Sequence, residues 1–393
     1  MTREVLVVGC ARTAIGSFGG SLKDIPLTQL ATIAIRGALE RSAIDPESVG
    51  QVVMGNVIPT EPRDAYLSRV ASIDAGCPKE VPAFNVNRLC GSGLQAVISA
   101  AQSILLGDAE IAIGAGAESM TRGAFILPSA RWGARIGDAQ LVDYVTGILH
   151  DPWQNIHMGI TAENVAARHG VTRRMQDELA VESQQRAARA IAEGRFRSQI
   201  VPVEIASRKG TMVFDTDENV RADTSYEGLA RLRPTFKADG SVTAGNASSI
   251  NDGAAALLLA EAAAAQRQGL HPLARLVSYA HAGVEPEYMG MGPVPASRMA
   301  LARAGLRVAD LDVIEANEAF AAQACAVARE LDFDPAKVNP NGSGISLGHP
   351  VGATGAIIAI KAIHELHRVH GRYALMTMCI GGGQGVAAIF ERI

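Results

Sequence analysis

Two cysteines and a histidine in this chain stand beside glycine-rich turns, where a side chain can meet a substrate, and an asparagine stands where a strand meets a helix. Cys90 lies in Asn87-Arg88-Leu89-Cys90-Gly91-Ser92-Gly93, read as a strand-to-helix turn. A thiol at a helix N-terminus faces the positive end of the helix dipole, which favours thiolate. A lone cysteine is more often an inert core residue, but a core cysteine does not need such a turn. His349 lies in Gly348-His349-Pro350-Val351-Gly352-Ala353-Thr354-Gly355, a second helix start. Its ring can take a thiol proton near neutral pH; the plainer alternative is a turn histidine with a satisfied hydrogen bond. Cys379 is read as ending the last long strand and entering Ile380-Gly381-Gly382-Gly383-Gln384-Gly385. Backbone N–H groups of such a loop can hold an oxyanion, although a buried cysteine beside a turn is equally compatible with the residue alone. The loop lacks the Lys-Ser/Thr of a phosphate-binding loop. Asn317 opens Asn317-Glu318-Ala319-Phe320, where a strand meets a helix, and an N-cap is its simplest role. Cys10, Cys77 and Cys325 have no comparable setting.

The elements that carry these residues repeat. Ala38-Leu39-Glu40-Arg41 leads to Gln51-Val52-Val53-Met54-Gly55-Asn56, as Ala300-Leu301-Ala302-Arg303 leads to Val313-Ile314-Glu315-Ala316-Asn317. The Cys90 turn opens a helical run to Leu106 and then the strand Ile111-Ala112-Ile113. The His349 turn opens a run to about Val369 and then the strand Tyr373–Met378. Paired segments are offset by about 260 residues in the same order, which argues for a duplicated α/β unit. His349 then occupies nearly the position in the second half that Cys90 holds in the first. Each half is expected to form a mixed, largely buried sheet with helices on its faces. The helix Leu27–Leu39 fits, with its apolar residues on one stripe. Between the halves, from about 122 to 249, charged residues and amphipathic runs such as Met175–Glu193 replace long strand patterns, and we read an inserted loop domain. The expected units are 1–121 plus 250–271, 122–249, and 272–393.

Composition narrows the function classes. With 48% apolar and 19% charged residues the chain can bury a large core. A net charge of −4 without a long Lys/Arg run points away from nucleic acid and from membrane surfaces. Five widely spaced cysteines argue against a disulfide framework or a zinc site, and for a reducing compartment. Met1-Thr2-Arg3-Glu4 runs at once into a strand pattern, which leaves no room for a signal peptide. No uncharged apolar stretch is expected to reach the ~18 residues of a membrane span. The expected setting is cytoplasmic.

Along its whole length the sequence resembles the thiolase family, and most closely the bacterial biosynthetic β-ketothiolases with broad chain-length use. The resemblance rests on the Cys90, Asn317, His349 and Cys379 motifs in order, and on His157-Met158-Gly159 followed by Thr161-Ala162-Glu163-Asn164. Thr60-Glu61-Pro62-Arg63-Asp64 and Asn339-Pro340-Asn341-Gly342-Ser343-Gly344-Ile345 add to it. It implies an α/β fold with two duplicated mixed-sheet halves in a layered αβαβα arrangement, plus the loop domain. It implies an acyltransferase that joins acetyl-CoA to a short acyl-CoA, reversibly, through an acyl-Cys90 intermediate. His349 would activate Cys90, and Cys379 would move the α-proton. His349 and Asn317, through a water, would stabilise the enolate oxygen. Backbone N–H groups of Cys90 and Gly381 would hold the thioester oxygen. Leu149, His157, Met158, Arg221, Ser248, Ile250 and Phe320 would bind CoA. CoA and acyl-CoA are substrates, and no cofactor or metal is implied. A homotetramer is implied, with the segment around Phe125–Arg135 as a contact. The sequence departs from the family at Gly228-Leu229, where Ser-Met is more usual and touches the adenine side. It departs again at Ser343-Gly344, in place of Gly-Ala, beside the expected acyl pocket. Such chemistry needs a nucleophile that is also a good leaving group, a separate base at the α-carbon, and two oxyanion sites. Ketoacyl-synthase-type enzymes share the duplicated fold but lack the cysteine of the C-terminal glycine loop. A cysteine hydrolase leaves the duplication and Cys379 unexplained, and a non-catalytic acyl-CoA-binding protein would not need all three reactive residues.

Overall fold

The computed structural model describes residues 3–133, 135–207 and 210–393. The apolar runs form strands β1 (Val5–Arg12), β2 (Gln51–Gly55), β3 (Ala83–Val86), β4 (Ile111–Ser119) and β5 (Asn251–Glu261) in the first half. The second half supplies β6 (Ala274–Gly283), β7 (Val313–Ala316), β8 (Tyr373–Ile380) and β9 (Gln384–Arg392). The main helices are α1 (Leu27–Ser42), α2 (Ser92–Leu106), α3 (Met158–His169), α4 (Arg173–Ala192), α5 (Pro293–Ala304), α6 (Ala321–Glu330) and α7 (Val351–Val369).

The duplication is plain in the topology. Strand order is β7-β8-β9-β6-β1-β5-β4-β2-β3. β2 lies parallel to β4 and antiparallel pairs link β4, β5 and β1; β7 lies parallel to β8 and antiparallel pairs link β8, β9 and β6. Val313 follows Gln51 by 262 residues, and Tyr373 follows Ile111 by the same 262. Val338 bridges Ile314 in parallel, in the place β3 has beside β2. The halves differ at one connection: β8 and β9 are joined by the turn Gly381–Gly383, whereas the chain between β4 and β5 leaves the sheet and forms α3 and α4.

Three features differ from the sequence reading. The two half-sheets are not separate, since Leu6 and Val7 of β1 pair with Arg275 and Ala274 of β6 and make one continuous sheet. Pairing these edges satisfies backbone groups that would otherwise be open. Cys379 does not end the last strand, because β9 follows it in a hairpin. The uncharged stretch Leu89–Leu106 does reach the length of a membrane span. It is core: Leu94, Ala96, Val97, Ile98, Ala100, Ala101 and Ile104 are all buried, and a helix apolar on most sides suits the middle of a large protein.

α2 and α7 pack on each other and touch strands of both halves, while α1 and α5 cover their own halves. Glycines set the closeness of α2 and α7. A Cβ on Gly355 would lie 2.1 Å from the Leu94 nitrogen, and one on Gly93 2.8 Å from that of Ala356. The two N-termini therefore meet, each with a reactive residue two positions ahead of it. The intervening segment is tied to β1 through a fully buried ion pair. Arg12 donates to both Asp217 oxygens at 2.7 and 2.9 Å, and Ile15 N–H donates to Asp217 Oδ1 at 2.8 Å.

Candidate active site

Cys90 stands on a turn built by its neighbours. Leu89 N–H donates to Asn87 Oδ1 at 2.9 Å, Arg88 N–H donates to Ser92 Oγ at 2.8 Å, and Ser92 Oγ–H donates to the Leu89 carbonyl at 2.7 Å. These bonds hold Leu89 at φ 46°, a left-handed conformation that a branched side chain rarely adopts. Gly91 approaches Ile380, whose Cδ1 would be 2.5 Å from an added Cβ, so the turn seats against the end of β8.

His349 is buried at 5% exposure. Its backbone N–H donates to Asn251 Oδ1 at 2.8 Å. Its Nδ1 lies 2.7 Å from Thr354 Oγ1, and that hydroxyl donates to the Pro350 carbonyl at 2.9 Å. The hydroxyl proton being engaged there, Thr354 accepts from Nδ1–H, which leaves the lone pair on Nε2. Asn317 Nδ2 lies 3.4 Å from that nitrogen. Asn317 Oδ1 is buried with no hydrogen-bond partner among the described residues.

The electrostatics correct the expectation of a resting thiolate. Burial pushes the Cys90 thiol up to about 11, and the nearby Glu118 charge adds to the rise; backbone N–H groups of Gly381 and Cys90 offset only part of it. Burial pushes His349 down to about 4. Cys379 is buried at 1% exposure, and burial together with the Cys90 sulfur raises its thiol strongly. The resting site holds two neutral thiols and a neutral imidazole. Such a pair transfers its proton as the sulfur attacks, rather than before.

These residues line one cavity of about 450 Å³. Cys90, His349, Cys379 and Gly381 line it, together with Leu149, His157, Met158, Arg221, Ser248, Ile250 and Phe320. Asn317 does not line it and reaches it through His349. His157 caps α3, its Nδ1 accepting from Gly159 N–H at 3.0 Å, and stacks on Phe236 with ring centroids 4.6 Å apart. Phe236 in turn meets Phe320 edge-on at 6.3 Å. Sequence reasoning missed Phe236, Met289, Ala247 and an apolar wall of Val57, Met120, Ile148 and Val351 near Cys90. Only tertiary packing gathers that wall, so no local pattern marks it.

Neither of the two departures lines this cavity. Leu229 packs with Ala180, Ala321 and Ile345 in a small core, and neither Gly228 nor Leu229 lines the cavity. Ser343 and Gly344 do not line it either. A Cβ on Gly344 would come 2.9 Å from Asn317 Oδ1 and 2.7 Å from the Glu318 carbonyl, so this glycine makes room for Asn317.

Comparison with known proteins agrees with this construction. Residues 5–263 match the family model described as "Thiolase, N-terminal domain" and residues 270–392 the one described as "Thiolase, C-terminal domain". The chain is 64% identical to the beta-ketothiolase BktB of Cupriavidus necator, over all of both chains. It superposes on the crystal structure of the Bacillus anthracis acetyl-CoA acetyltransferase with a TM-score of 0.98 at 44% identity, covering 100% of this chain and 99% of the other. Human mitochondrial 3-ketoacyl-CoA thiolase in complex with CoA gives 0.96 at 42% identity, covering 100% and 98%. The chain is thus matched over its whole length in sequence and in shape, and it belongs to the thiolase family.

Proposed function

We propose that this chain catalyses the reversible Claisen condensation of acetyl-CoA with acetyl-CoA or another short acyl-CoA, giving a 3-ketoacyl-CoA and CoA. The observation that carries the reading is the convergence of Cys90, His349 and Cys379 on one cavity. His349 Nε2 takes the Cys90 proton as the sulfur attacks the thioester carbon of the first acyl-CoA. The CoA sulfur leaves and takes the Cys379 proton, so Cys90 holds the acyl group and Cys379 is a thiolate. That thiolate removes an α-proton from the second acyl-CoA. The enolate carbon attacks the acyl carbonyl, and the Cys90 sulfur leaves and regains its proton from His349. The second thiol is needed because the α-carbon base must be distinct from the acylated nucleophile.

Backbone N–H groups of Cys90 and Gly381 hold the oxygen of the acyl thioester. His349 Nε2–H, and a water on Asn317, hold the enolate oxygen; the buried, unpartnered Asn317 Oδ1 supports such a water. Leu149, Met158, Ile250 and Phe320 line the pantetheine arm, with His157 and Ser248 beside it. The exposed Arg221 meets the phosphates. We assign residues 1–121 with 250–271 and residues 272–393 to the two halves, and 122–249 to the loop domain that carries most of the CoA contacts. The protein works in the cytoplasm as a homotetramer that needs no cofactor beyond its CoA substrates.

The test is CoA-dependent thiolysis of acetoacetyl-CoA, 3-ketovaleryl-CoA and 3-ketohexanoyl-CoA by wild type, Cys90→Ser and Cys379→Ser. Wild-type activity with losses of at least about 10³-fold in each variant is expected. A fully active Cys379→Ser, or hydrolysis without a CoA requirement, would overturn the two-thiol assignment.

A further inference from the structure

Glu118 is a buried carboxyl group at the end of β4 that the reaction above does not use; burial pushes it up to about 8, and the N–H donors around it pull the other way, towards the ionised form. Four donors converge on it. Oε1 accepts from Asn56 Nδ2 at 2.8 Å and from Ile58 N–H at 3.0 Å. Oε2 accepts from Val57 N–H at 3.2 Å and from Gly352 N–H at 2.8 Å. The first three come from the loop after β2, in the same half as Glu118. The fourth comes from the first turn of α7 in the other half, three residues after His349. That amide is one of the four at a helix N-terminus that no helical carbonyl can satisfy. A carboxylate there also meets the favourable end of the helix dipole.

The backbone is shaped to allow this reach. A Cβ on Gly352 would come 2.5 Å from Glu118 Oε2 and 3.0 Å from the Asn56 Cα. One on Gly116, on the same strand as Glu118, would come 2.4 Å from the Gly352 carbonyl. The segments gripped by Glu118 carry two walls of the cavity, since Val57 and Val351 both line it and pack in one cluster beside Leu89 and Cys90.

We infer that Glu118 is a positioning residue for the condensation reaction: bonding across the two halves to the Gly352 amide, it fixes the His349-bearing turn relative to Cys90 and the acyl-side wall. It touches no substrate. Its effect is on the placement of a base and of reacting atoms, where a displacement of about 1 Å costs on the order of 100-fold in rate. A glutamine at this position keeps the size but places an NH2 group against N–H donors, so at least one bond becomes a donor–donor contact.

The inference rests on the proposed thiolase reaction, and the experiment separates the two. Thiolysis of acetoacetyl-CoA is measured for wild type, Glu118→Gln, Gly352→Ala and the double variant, with thermal melting of each. An inactive wild type would end the thiolase reading itself. With an active wild type, each single variant is expected to lose about 100-fold in kcat, with KM for CoA changed less than about twofold. The double variant is expected to lose less than the product of the two single losses, because both changes disturb the same Glu118–Gly352 contact. A change confined to the melting temperature, a loss shared equally by kcat and by CoA affinity, or losses that multiply in the double variant would overturn the positioning role. Should Glu118→Gln fail to fold, Gly352→Ala alone decides by the same split between kcat and KM.

Discussion

At the scale of single residues, the main surprise is protonation. The turn around Cys90 has the shape expected for an activated thiol, yet the resting sulfur is held as a thiol by burial, with its pKa up near 11, beside an imidazole held neutral near 4. A neutral pair of this kind has a clear signature. Alkylation of Cys90 by iodoacetamide is expected to rise about tenfold per pH unit between pH 7 and 10, as the thiolate fraction grows towards its pKa. Cys379, fully buried behind it, is expected to label much more slowly. A rate that is flat with pH over that range would mean a preformed thiolate–imidazolium pair, and the proton transfer assigned to the attack step would have to move before it. The settings of Cys90, His349 and Cys379 were legible, because each stands in a turn whose glycines have no simpler purpose; Asn317 has no glycine beside it and stood out only through the family resemblance. The charge on them was not legible. It depends on Val57, Met120, Ile148 and Val351 arriving from four separate segments. The tautomer of His349 depends on Thr354, whose hydroxyl reaches back to the Pro350 carbonyl as helix geometry allows.

Among elements, the contact between α2 and α7 matters most, because it sets the distance between the nucleophile and the base. Gly355 is therefore predicted to behave against helix propensity. In an exposed helix interior, Gly→Ala stabilises by about 1 kcal/mol. Here the new methyl would sit 2.1 Å from the Leu94 backbone nitrogen, where the neighbour cannot yield without moving a helix. Gly355→Ala is expected to destabilise by about 1–3 kcal/mol in urea denaturation, and to lower thiolysis as the two turns separate. A neutral or stabilised variant would mean that the helices part freely and that their closeness does not govern the site. The repeat that brings these helices together was readable from paired motifs at a constant offset, and α1, α4 and α7 have nearly the extents their apolar spacing predicts. The joining of β1 to β6 was not readable, since only two residue pairs make it and neither has a distinctive side chain. β9 was passed over because a run of three glycines reads as an open loop, whereas Gly382 and Gly383 at φ 79° and 80° form a tight hairpin turn.

For the whole molecule, the segment between β4 and β5 is fixed to the core at one end and bare at the other. Its later part is locked to β1 by the buried Arg12–Asp217 pair, with Arg12 also donating to Gln199 and stacking over Phe196 at 5.0 Å. Its earlier part presents Phe125 at 64%, Trp132 at 84% and Ile136 at 100% exposure; Ala134 between them lies outside the described residues. The hairpin in that stretch consists of two-residue strands, Phe125–Ile126 against Val142–Asp143. Strands so short have too few bonds to hold their own conformation in water, and clustered apolar side chains on a rim mark a protein contact. A partner copy covering them would supply the packing these side chains lack in the single chain, which is why the proposed tetramer places its contact here. Light scattering at micromolar concentration is expected to give four copies for wild type and two for Trp132→Glu, because a charge at a buried contact without a partner disfavours association strongly. A Trp132→Glu variant that remained tetrameric would move the contact to another surface. A wild type found as a monomer would remove the tetramer altogether and leave this apolar hairpin without an explanation.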